Sequence, residues 1–158
     1  MGFDLLICEP APSEVDNRRF RAGGGSMGWL EAVLDTAGLV NDEQLPDDWP
    51  PNERDGEVIE WQGSGPGVPR VKLRSNDFWW VGPDECASIA QGLADPARLV
   101  TLVWATLAPT KEEAARRLTE TVVPGTTEVE WMRGNIEFTT EFADFCRRAA
   151  QQGGFIVM

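Results

Sequence analysis

Hydrophobic residues fall in short, separated runs whose spacing changes along the chain. FDLLIC (3–8) is apolar apart from Asp4, and Glu9-Pro10 closes it. It predicts a buried strand that the proline ends. The next residues are polar, with Pro10, Pro12 and three consecutive glycines, and predict a loop holding a short strand at Arg18–Arg21. Met27, Leu30, Val33, Leu34 and Ala37 then recur at helical spacing, behind Ser26 as N-cap and ahead of Gly38. A helix over about 27–37 follows from that pattern.

Residues 39–56 carry Pro46, Pro50 and Pro51 among many acids and predict a long, mobile, irregular connection. EVIEW (57–61) and RVKLR (70–74) alternate and predict two strands of a hairpin, joined by QGSGPGVP. In that hairpin Arg70, Lys72 and Arg74 share one face. FWWV (78–81) predicts a further strand.

Pro83-Asp84-Glu85 starts a helix carried on by Ala87, Ile89, Ala90 and Leu93. Asp95-Pro96 starts another, over 96–108. Its body is apolar nearly all round, which leaves a buried strand as the alternative there. Thr110 to Glu113 is a capping box for a third, to about Thr121. EVEWM (128–132) alternates and predicts a strand, with 136–138 as a short partner. Its Glu128 and Glu130 would face the Arg70, Lys72 and Arg74 row. Phe142, Phe145, Cys146 and Ala149 mark the core face of a last helix, and FIVM (155–158) a final strand. The sum is one α+β domain over 1–158: a mostly antiparallel sheet packed by about four to five helices.

Composition narrows the function. With 158 residues the chain is long enough for a sizeable core. Its apolar runs are too short to span a membrane, and MGFDLLICEP lacks the basic segment of a signal peptide. Cys8, Cys86 and Cys146 are scattered and odd in number, which predicts a reduced, cytoplasmic protein. The net charge of −12 argues against a nucleic-acid surface. Residues 41–60 hold eight acids against Arg54 alone, a charge pattern suited to a basic partner.

There is no histidine and no tyrosine. Serine or cysteine catalysis with a histidine base has no base here, and histidine-ligated zinc has no ligand. Neither the scattered thiols nor the adjacent pairs Asp47-Asp48 and Glu112-Glu113 define a catalytic or metal site. No cofactor, metal or catalytic residue is expected.

GGGSMG contains G-x-G-x-x-G at Gly23, Gly25 and Gly28. The dinucleotide fingerprint needs an apolar parallel strand before it, and RRFRA is not one. A weaker expectation is an anion held by Arg18, Arg19 and Arg21 with the amides of Ser26 and Met27. The leading expectation is a non-catalytic binding protein that presents acids and tryptophan to a basic protein partner. Asp47, Asp48, Trp49 and Asp55 would make the contacts, with Trp79 or Trp80 nearby. The alternatives are an enzyme or small-ligand protein using the arginine–glycine corner, and a homo-oligomer joined through FWWV or FIVM.

Overall fold

The computed structural model describes residues 2–45, 57–121 and 123–158. β1 (Gly2–Ile7) and β2 (Arg19–Gly23) form an antiparallel pair across a short 3-10 helix at Pro12–Asn17. β2 runs straight into α1 (Gly24–Thr36). The helix therefore begins three residues before its expected start: Gly23 is the N-cap, and Ser26 lies in the first turn. Gly38 follows at φ +69, the left-handed geometry expected of a residue that ends a helix.

Two-residue strand β3 (Val40–Asn41), in the connection expected to be irregular, pairs in parallel with β4 (Val68–Pro69), at the end of the QGSGPGVP linker. RVKLR is not a strand. It forms a 3-10 turn, Arg70–Leu73, after Pro69. EVIEW contributes only one parallel bridge, Ile59 to Trp79, so the expected hairpin is absent. Five alternating residues are too few to fix a strand when their charged groups have partners elsewhere.

β5 (Trp79–Val81) leads into α2 (Pro83–Gly92), α3 (Pro96–Leu107) and α4 (Lys111–Thr119). The ambiguous apolar run is thus a helix, capped by Asp95, whose carboxylate accepts from the Arg98 amide at 3.2 Å. α5 (Glu128–Ala149) then takes in EVEWM and 136–138, both expected as strands. Thr127 explains this. Its hydroxyl accepts from the Glu130 amide at 3.2 Å, and Glu130 accepts from the Thr127 amide at 2.9 Å. This reciprocal capping box nucleates a helix that the local alternation cannot oppose. β6 (Phe155–Val157) closes the chain.

The four-stranded antiparallel sheet has the order β2-β1-β6-β5. Its register places Phe3, Leu5, Ile7, Ala22, Phe155, Val157, Trp79 and Val81 on one face, all buried. Phe142, Phe145, Cys146 and Ala149 of α5 belong to the same core, and Phe20 lies 5.4 Å from the Phe142 ring. On the other face, Leu6, Ile156 and Trp80 align in one row and remain half-buried, with Arg19 exposed at its end.

Lys72 is 0% exposed. Its ammonium donates to the Trp80 carbonyl at 2.9 Å and to both Glu85 oxygens at 3.0 and 2.9 Å. Glu85 also accepts from the Gly82 amide at 2.9 Å, which caps α2. One buried ion pair thus joins the 3-10 turn, β5 and α2.

Candidate functional site

α1 presents Gly25, Gly28, Trp29 and Ala32 at i, i+3, i+4 and i+7, on one side of the helix. That side forms a wall of a cleft of about 650 Å³, completed by α3, the end of α4 and α5. Its floor is indole. Trp131 of α5 packs on Trp104 of α3 with ring centres 4.3 Å apart, and meets Trp29 nearly edge to face at 5.0 Å. Trp29 and Trp104 are buried; Trp131 is half-exposed.

Polar groups line the same cleft. Arg117 stands at the rim, its Nε donating to the Leu107 carbonyl at 2.6 Å and lying 3.3 Å from Glu113. Trp104 Nε1 donates to Glu128 at 2.8 Å, and Asn135 Nδ2 donates to the Trp131 carbonyl at 2.9 Å. Trp29 Nε1 is buried and finds no acceptor among the described residues. The N-terminus of α1 has no side-chain cap and no acid in its first turn. The partial positive charge of its free amides is therefore not offset there.

The glycine corner thus reaches a cleft, but with different partners from those expected. Ser26 lines it, whereas Met27 is buried in the core. Arg19 and Arg21 turn to Asp4: Arg19 in a hydrogen-bonded pair, Arg21 at 3.8 Å. Arg19 holds the Asp4 carboxyl below its usual range. Arg18 and Arg19 instead line a separate depression with Asp4 and Asp16. Arg117, Trp104 and Trp131 are the cleft residues that sequence reasoning missed as a group. Their common location depends on the packing of helices distant in sequence.

Asp47, Asp48, Trp49 and Asp55 lie outside the described residues. Trp79 is a core residue whose Nε1 donates to Ser75 at 2.9 Å. Trp80 lies on the other sheet face, half-buried, donating to the Gly153 carbonyl at 2.9 Å.

The expected basic row is dispersed. Arg70 engages Glu31, Asp35 and Asp42 at 2.8, 2.9 and 2.7 Å. Lys72 is buried on Glu85, and Arg74 shares Glu31 at 2.5 Å. None of the three meets Glu128 or Glu130, which belong to the first turn of α5. Burial pushes the Cys86 thiol up to about 12 and holds Cys146 well above the ordinary thiol value, so neither offers a thiolate near neutral pH. Among the described residues no cluster of three or more acids and thiols could hold a metal ion, and no helix is long and apolar enough to cross a membrane.

A second feature lies on α5. Val129, Met132 and Ile136 form an apolar stripe at i, i+3 and i+7, flanked by Glu128, Arg133 and Glu137. Val129 is 65% exposed. The core-facing residues of this helix, Phe142 and Phe145 among them, lie in its C-terminal half.

The fold defines a class: an α+β domain in which an antiparallel sheet is packed by helices on one face. No protein-family model, no curated protein and no solved structure matches the chain.

Proposed function

We propose that the protein is a non-catalytic binding protein whose partner presents a basic amphipathic helix, docked along the outer stripe of α5. The observation that carries this reading is the stripe itself: three apolar side chains at helical spacing, Val129 exposed and Met132 and Ile136 half-buried, rimmed by Glu128, Arg133 and Glu137. Apolar anchors inside a charged rim give an interface both affinity and choice of partner. An amphipathic helix laid on them would bury Val129, Met132 and Ile136.

The charge of the partner follows from how the cations are used. Arg70, Lys72, Arg74, Arg116 and Arg147 are all committed to acids of the same chain. Glu112, Glu137 and Glu141, on α4 and α5, form no ion pair among the described residues. With a net charge of −12, the molecule repels a second copy of itself and draws a cationic surface in. The acidic run at 41–60 adds to that field.

The test is capture from the host lysate by the immobilised protein, beside the double variant Val129→Asp, Ile136→Asp. A basic protein retained at low salt, released by moderate salt and lost with the double variant supports the reading. Identical capture by both forms overturns it, as does a dimer through α5 detected by light scattering. Val129 is exposed but Ile136 is half-buried against the core, so the single variant Val129→Asp, expected to leave the fold intact, is run beside the double one and must also reduce capture.

A further inference from the structure

We infer that the tryptophan cleft is a binding site for a small planar organic anion, of the aromatic carboxylate class. The site is separate from the α5 stripe and independent of it.

The first observation concerns what the fold does not require. Gly25 and Gly28 lie inside α1, where each glycine costs about 1 kcal/mol relative to alanine. Neither has a positive φ, and a Cβ built on either would meet nothing within 4 Å. No turn and no close packing calls for them. Their effect is to leave space above Trp29, and Ala32 extends the same low wall.

The second observation is an unmet donor. Trp29 is 8% exposed, and its indole nitrogen has no acceptor among the described residues. An unsatisfied buried donor of this kind costs about 1–3 kcal/mol. The ring it meets edge-on, Trp131, is the half-exposed member of the cluster. A ligand lying on Trp131 therefore changes the environment of both indoles.

The remaining groups define the ligand. The uncapped amino end of α1 and the Arg117 guanidinium, which keeps its 3.3 Å contact with Glu113, both favour negative charge. The acid on the lining, Glu120, is engaged by Arg116 at 2.5 Å. Trp104, Trp131 and Leu107 supply flat apolar surface for a ring. A volume of about 650 Å³ lies within the range of small-molecule sites. A ring stacked on indole, with its carboxylate toward Arg117 and the α1 amides, meets each of these features.

Titration calorimetry with naphthoate and indoleacetate tests this, with naphthalenemethanol as the uncharged ring and acetate and inorganic phosphate as ringless anions. The intact protein is expected to bind a ring acid one to one, with a shift in tryptophan emission. Arg117→Gln should weaken binding about tenfold, the equivalent of about 1.4 kcal/mol. Gly28→Leu should abolish it by filling the cleft while melting no lower than wild type, because it removes a helical glycine. Binding that survives Gly28→Leu overturns the site, as does no saturation by either ring acid up to about 5 mM. Equal binding of the uncharged ring overturns the anion assignment. Val129→Asp, at the exposed end of the stripe, should bind the ring acid like wild type, so failure of the docking reading leaves this result standing.

Discussion

Phe78 has φ +60, a left-handed backbone in which a side chain other than glycine is strained. It stands between Asp77 and the first residue of β5, where the chain must turn from the 3-10 segment into the sheet. At an ordinary extended position alanine is more stable than glycine, because glycine has more unfolded freedom to lose. At Phe78 the order should invert, with Phe78→Gly more stable than Phe78→Ala by about 1 kcal/mol in urea denaturation. Alanine equal or superior would show that the backbone relaxes there without cost. Lys72 is also decided by particular contacts. Lys72→Met removes the cation but leaves Glu85 buried, and should cost about 3–5 kcal/mol. A loss under 1 kcal/mol would mean that Glu85 finds water or a proton readily. Neither role is visible in the sequence. Lys72 reads there as one of three alternating cations, because the acid that accepts it is thirteen residues away on another element.

Elements were legible where their end signals agree with their periodicity. β1, the body of α1, α2, β5 and β6 fall close to their expected positions for that reason. α5 shows the opposite case. Alternation over EVEWM suggested a strand, yet Thr127 and Glu130 already carry the spacing of a capping box. A helix start fixes the dihedrals of a whole turn, whereas five alternating residues become a strand only if a partner strand exists. The correction matters for function, because it places Val129, Met132 and Ile136 on one helix surface instead of distributing them over two strands. The tryptophan cleft was half legible. GGGSMG stands out in the sequence, but its helix and Arg117 are separated by a long stretch of chain, and only tertiary packing joins them.

For the molecule as a whole, the charge excess and the acid-held ion pairs oppose one another. Arg74 first, then Arg70, lowers the Glu31 carboxyl below its ordinary value of 4.5. A folded-state value below the unfolded one gives stability that is complete above about pH 4.5 and is lost as pH falls through the folded value. Glu31→Gln should therefore melt below wild type at neutral pH, and the gap should close on acidification toward about pH 3. A gap unchanged at low pH would assign the loss to packing, not to charge. The unpaired excess acts in the other sense. With a net charge of −12, added salt at neutral pH should raise the melting temperature by screening self-repulsion.

The strand order also has a consequence for biosynthesis. β6 lies between β1 and β5, so the sheet interior is built from segments far apart in the chain. A ribosome releases β1 and β2 first, and that pair can form early with one long edge of β1 unfilled. Its permanent neighbour lies at residues 155–157, beyond α1 to α5 in the sequence. Such non-local closure is slow relative to helix formation, and the open edge is prone to pair with other chains in the interval. Until β6 docks, the β1 edge is therefore the part of the unfinished sheet most open to pairing with other chains.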